Sequence, residues 1–140
     1  MYNLNKLFSP IIAKPGNTDK YVELPPCDIL KPYIQCFWGT PKPILKFRYD
    51  GFKPHSTIII PDTCMDIIFD INYYTNEMNS VFCGINDRPF WILNENKTAV
   101  QSTFAIRFYF WSVHLFADTD LKDVCNTFSD VNTYMGIVTW

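Results

Sequence analysis

"IIIPDTCMDIIFDI", Ile58 to Ile71, decides how the rest of the chain is read, because it is strongly apolar yet carries Pro61, Asp62, Cys64, Asp66 and Asp70. Met65, Ile67, Phe69 and Ile71 alternate with Asp66, Ile68 and Asp70. Alternation with a period of two is the mark of a strand whose apolar set faces a core and whose carboxylates mostly face the other way. Pro61 has no amide hydrogen and a preset φ, and Asp62 can cap a turn with its own carboxylate, so "PDTC" reads as the place where the chain doubles back. On that reading Ile58 to Ile60 is the partner strand of a hairpin. Met65, Ile67 and Phe69 line its interior, and the aspartates shape its rim.

Working outward, "PPCDILKPYIQCFWGTPKP" places Leu30, Ile34 and Trp38 four residues apart, but Pro32 breaks a long helix. The expectation is a helical turn or two near Asp28 to Ile34, then a strand at Gln35 to Gly39. The residues before it mix apolar pairs with the turn formers Pro15, Gly16 and Asn17, which reads as two short extended pieces around a turn. Asp50 and Gly51 between aromatic flanks signal a tight hairpin turn. Downstream, "NYYTNEMNS" reads as a polar loop, "VFCGI" as a short strand, "NDRP" as a turn, and "FWILN" as a strand ending in the turn "ENK". "TAVQSTFAIRFYFWSV" is a long strand, with Phe104, Ile106, Phe108 and Phe110 on one face and Ala105, Arg107, Tyr109 and Trp111 on the other. Only the end turns helical: Leu121, Val124, Cys125 and Phe128 keep helical spacing, with Asp118 or Thr119 placed to cap.

Many short strands with little helix describe a mainly β fold, a sandwich, jelly roll or small barrel. At 140 residues, 48% of them hydrophobic, the chain is the size of one domain with its own core. The aromatic fraction of 17% suits a dense β core or a wide aromatic pocket. Twelve Lys and Arg against fourteen Asp and Glu give a net charge of -2, which offers no broad attraction to DNA. Cysteines at 27, 36, 64, 83 and 125 form no CxxC pair, and with no secretion signal the plain reading is a reducing cytoplasm. No apolar stretch is long enough to cross a membrane as a helix.

Three segments, "PPCDILKPYIQCFW", "IIIPDTCMDIIFDI" with "VFCGI" after it, and "FAIRFYF" before an apolar tail, resemble in order and spacing the N-terminal domain of bacterial AraC-type transcriptional regulators. The resemblance runs from about Pro25 to Val131 and is sharpest in the P-D-x-C-x-D-x-I-F motif. It implies a cupin-like β-barrel or jelly roll with one or two short helices, the last near the C-terminus. That domain would sense a small-molecule effector, mediate homodimerisation, or both. In that family DNA is bound through a separate C-terminal helix-turn-helix domain, for which residues 1–140, read as a single sensor domain, leave no room. After the R-F pair, where the family often has Pro and Gly, this chain has Phe110 and Trp111.

Candidate chemistry is sparse. A metal-binding cupin needs clustered histidines and a carboxylate, whereas this chain has only His55 and His114, so neither a metal nor another cofactor is expected. Cys64 and Cys83 read as small buried thiols, not nucleophiles, and Asp62 and Asp66 as turn cap and outward strand residue. Arg107, between Ile106 and Phe108 on an apolar strand, must reach solvent, a carboxylate such as Asp66 or Asp70, or an anionic ligand. Trp38, Arg107, Tyr109, Trp111 and His114 together form the candidate ligand pocket, with flat rings to stack and polar edges to orient. No catalytic residue is expected. Two rivals stand beside this reading: a small cupin-like enzyme of isomerase type using Asp66, His55 or His114, and a ligand-free oligomerisation module filled by its own aromatic rings.

Overall fold

The computed structural model describes residues 10–12, 21–46, 56–93, 99–118 and 120–136. The chain is mainly β. In chain order the strands are β1 (Val22–Leu24), β2 (Ile34–Gly39), β3 (Ile44–Lys46), β4 (Ser56–Ile59), β5 (Cys64–Asn72), β6 (Glu77–Cys83), β7 (Phe90–Leu93), β8 (Ala99–Tyr109) and β9 (Phe128–Asp130). A 3₁₀ turn covers Val113–Leu115, and the short helix α1 (Asn132–Met135) lies near the C-terminus as expected. The larger sheet is antiparallel in the order β1-β2-β8-β5-β6-β9, with β3 also on β8, while β4 and β7 form a separate pair. The described strands make open sheets consistent with a jelly-roll-like sandwich, not a closed barrel.

The alternation in the middle motif makes β5 a strand, and β5 lies inside the sheet between β8 and β6. Directly opposed residues share a face, which sorts the sheet into two. On one face Met65 pairs with Phe108, and Ile67 with Ile106 and Phe82. Ile34, Met65, Ile67, Phe82, Phe108, Val113 and Val124 are buried together there, with Leu121, Val131 and Tyr134 packed against them. The Tyr134 ring lies 4.9 Å from that of Phe82. Met65 and Ile67 therefore meet the C-terminal segments instead of a hairpin interior. Further along the same face Phe37, Phe104 and Phe69 stack as a ladder with centroid spacings of 6.1 and 6.2 Å. That end is less covered, with Phe104 at 45% exposure.

Several expectations are corrected. Ile58 to Ile60 is not the hairpin partner of β5: β4 pairs with β7, from Ser56 opposite Leu93 to Ile59 opposite Phe90. An unbroken apolar run has no polar face to specify its partner, so sequence proximity misleads there. "PDTC" carries the chain from the small sheet into the large one, with Thr63 bonded to the Ile11 backbone and Asp62 bridged to Asn86. Asp62 does cap locally, its Oδ1 accepting the Cys64 N–H at 3.1 Å. The β5–β6 reversal is instead the turn 73–76, where Asn72 Oδ1 accepts the Tyr74 and Thr75 amides at 2.9 and 3.3 Å. Residues Glu77–Ser80, read as loop, already belong to β6.

The helix expected over Leu121 to Phe128 does not form. Gly84 donates to the Thr127 carbonyl and Asn126 to that of Ile85, and Phe128 opens β9, so long-range bonds replace the i to i−4 pattern. Near Asp28 to Ile34 the chain does coil, with Ile34 N–H on the Leu30 carbonyl at 2.8 Å, before β2 begins. Phe110 and Trp111 do form a turn, closed by Ser112 N–H on Tyr109 O at 2.9 Å. The expected turns at Pro15–Asn17, Asp50–Gly51 and "ENK" lie outside the described residues, as do Thr119 and His55.

Candidate functional site

The second face of the large sheet carries the chemistry. One row across four strands reads Cys36, Arg107, Asp66 and Cys83, each directly opposite the next. Cys64 and Tyr109 form the adjacent row, and Trp38, Ala105, Ile68 and Val81 the row on the other side. The expected outward placement of Asp66 is thus overturned: Asp62 and Asp66 are both buried. The period-two pattern assigns faces correctly but not which face meets water, and here both faces are covered at this end.

Arg107 explains why Asp66 is inside. Its Nε donates to Asp66 Oδ1 at 2.9 Å and its Nη2 to Asp66 Oδ2 at 3.1 Å, a two-point grip that suits a planar guanidinium. Nη1 also lies 3.8 Å from Asp62 Oδ2. Trp38 donates its indole N–H to Asp66 Oδ1 at 2.8 Å, and the Arg107 guanidinium carbon lies 5.9 Å from the Trp38 ring centre. Burial works to lower the Arg107 pKa, but the Asp66 carboxylate, with Asp62 behind it, outweighs burial and holds it above the ordinary value. Arg107 stays charged.

Tyr21 lies over Trp38, ring centres 5.7 Å apart, and donates to Glu23 Oε1 at 3.0 Å. Burial and then Glu23 raise the Tyr21 pKa. Beside Asp62, the buried Asn86 donates from Nδ2 to Gly84 O at 3.3 Å and contacts Cys83 Sγ at 3.6 Å, while its Oδ1 has no partner among the described residues. Burial pushes the thiols of Cys64 and Cys83 up to about 12. They are held as neutral thiols, poor nucleophiles at neutral pH.

Of the pocket residues read from sequence, Trp38 and Arg107 meet on one carboxylate. Tyr109 shares the Arg107 face, and Trp111 stacks on it with ring centres 4.7 Å apart and planes 6° apart. Trp111 Nε1 donates to the Pro32 carbonyl at 3.3 Å. His114 is exposed in the 3₁₀ turn and is not brought to the Arg107–Asp66 pair. The pairing of Arg107 with Asp66 is one the sequence offered, although with Asp66 facing outward; Asp62, Asn86 and Tyr21 were not read as members of the candidate site. For Asp62 and Asp66 the signal was present: they share parity with Cys64, and a lone strand arginine requires a buried anion nearby.

Among the described residues no group of three or more His, Cys, Asp or Glu could hold a metal ion, and no helix is long and apolar enough to cross a membrane. Residues 22–130 match the model of a family described as a domain of unknown function, DUF6597. No curated protein and no solved structure matches the chain.

Proposed function

The chain belongs to the DUF6597 family, and from that premise we propose that it is a small-molecule-sensing domain of the AraC regulator type, without catalytic activity of its own. The observation that carries this reading is the division of labour between the two faces of one sheet. The face of Met65, Phe82 and Phe108 is an apolar core sealed by the C-terminal segments. The opposite face holds the Arg107 guanidinium with the buried carboxylates of Asp62 and Asp66, Trp38 on one side of them and, on the other, Asn86, whose buried amide oxygen has no partner among the described residues.

A fold does not need such a cluster. A buried ion pair is seldom more stabilising than a well-packed apolar replacement, whereas ligand sites are concave surfaces of rings with a few convergent polar groups. The effector would bind here and shift the equilibrium between two arrangements of separate helix-turn-helix domains, by no more than its differential affinity for the two. DNA binding belongs to those domains, as the net charge of -2 favours. A homodimer in the cytoplasm completes the proposal, with the exposed end of the Phe104 ladder as its contact.

A thermal-shift screen of metabolites against the protein tests the reading. A ligand that prefers the folded state raises the melting temperature with concentration. A hit whose effect disappears on Trp38→Ala supports the proposal; a full metabolite set with no hit counts against it.

A further inference from the structure

Residues 120–131 run antiparallel to the outer edge of β6 and seal it from Ser80 to Ile85. Val131 N–H meets Ser80 O at 3.4 Å, β9 pairs with Val81–Cys83, Gly84 N–H donates to Thr127 O at 3.0 Å, and Asn126 N–H donates to Ile85 O at 2.7 Å. Beyond that seam the segment buries little. Between residues 120 and 130 Val124 alone is buried, where its backbone comes close to Gly84, and most of its neighbours are exposed. The two ends of the segment are tied to each other: Asp118 N–H donates to Tyr134 O at 2.8 Å, and Gly136 lies against the Asp118 side chain. Tyr134 is in turn packed on Phe82. A loop whose ends are held together at its base is a unit that can move without the sheet it covers.

One residue closes the opposite end of the seam. Besides its N–H bond to Ile85, Asn126 accepts the Asp87 N–H on Oδ1 at 3.2 Å and donates from Nδ2 to Asp87 Oδ1 at 2.8 Å. Its φ of 56° lies in the left-handed region, where asparagine is among the best tolerated of the residues that carry a side chain. Asn126 and Asp87 are both exposed, so these bonds exchange with bonds to water and hold the segment only modestly. The strands β5 and β8, by contrast, are paired on both sides inside the sheet. We propose that residues 120–131 form a lid over the outer edge of β6, hinged at Asp118 and Tyr134 and latched by Asn126 on Asp87, which opens as a unit while the large sheet stays folded. Opening withdraws Val124 from the apolar core and frees the backbone groups along Ser80 to Ile85. An uncovered strand edge is the part of a sheet that takes on another strand, so the latch sets when this edge is available. The inference goes beyond the sensing reading and stands without it.

Amide hydrogen exchange on the full chain tests the lid. In the unmodified protein the Gly84 and Val131 amides, which bond across the seam, are expected to exchange together and at least about tenfold faster than the slowest amides of β5 and β8. Asn126→Asp keeps an acceptor for the Asp87 N–H but sets a second carboxylate against Asp87. It is expected to speed both seam amides about tenfold further, with β5 and β8 unchanged. Adding Asp87→Asn restores a donor in the opposite direction, and the doubly substituted protein is expected to return to the original rates. Both positions are exposed, so neither substitution disturbs the core. Gly84 and Val131 exchanging only as slowly as the slowest β5 and β8 amides would overturn the lid, because the segment would then open only with the whole domain. Seam rates untouched by Asn126→Asp, or not restored by adding Asp87→Asn, would overturn the latch.

Discussion

The guanidinium of Arg107 and the carboxylate of Asp66 face each other across β8 and β5 and are joined by two hydrogen bonds, of 2.9 and 3.1 Å, with side chains only 11% and 9% exposed. Breaking one partner of such a pair leaves an uncompensated buried charge. Asp66→Ala is therefore expected to cost about 3–5 kcal/mol, read as a lowered midpoint in urea unfolding. Arg107→Lys should also destabilise, because an ammonium does not reproduce the two-point geometry. A cost near zero for Asp66→Ala would mean that the pair is solvated in solution.

The thiols report burial of the same face. Cys64 and Cys83 are pushed up to about 12 by burial. Between about pH 9, the ordinary thiol value, and pH 12 the unfolded chain therefore holds fewer protons at these positions than the folded one. Their contribution to stability is flat below about pH 9 and falls above it, by up to about 1.4 kcal/mol per thiol for each pH unit. Unfolding midpoints measured from about pH 8 to about pH 11 check the direction. At about pH 8 the exposed Cys27 and Cys125 are expected to react with a thiol reagent quickly, and Cys36, Cys64 and Cys83 only after denaturation.

The apolar face gives a separate prediction. Phe82 is fully buried and packs against Tyr134. Phe82→Ala should cost about 3–5 kcal/mol, whereas Phe104→Ala, on the exposed end, should cost much less. Equal effects in thermal unfolding would contradict the placement of the core.

Gly84 tests how the C-terminal segment is seated. A Cβ at this position would run into the Val124 carbonyl, part of the backbone that covers the sheet. Gly84→Ala is expected to destabilise by about 1–3 kcal/mol, with Val124 and Phe128 showing faster amide exchange. A neutral effect would mean that the segment lies further from β6.

How much of this was legible beforehand differs from residue to residue. The β5 and β8 strands could be read directly, since Met65, Ile67, Phe104 and Phe108 keep a period of two, and Pro32 correctly limited the coil before β2. The partner of Ile58 to Ile60 was not legible, because an all-apolar run pairs equally well in any register. Val124 looked helical because its spacing from Leu121 and Phe128 fits one face of a helix, while the bonds that decide its conformation come from Gly84 and Ile85, far away in sequence. That Trp38 and Arg107 share one face could be read from their chemistry, and both meet on Asp66. Asp66 could be named as a partner for Arg107 but was placed outward, and only the strand order, with β8 beside β5, shows that this face is buried.

The most direct test of the account is a spectrum of side-chain N–H resonances recorded while a stabilising ligand from the metabolite screen is added. The Trp38 indole and Arg107 Nε–H signals should move together and saturate, with the amides around Phe82 and Val124 unchanged. Movement concentrated at Phe82 and Val124, or at the Phe37–Phe104–Phe69 ladder, with Trp38 and Arg107 still, would show that the polar face is not where this protein meets its ligand.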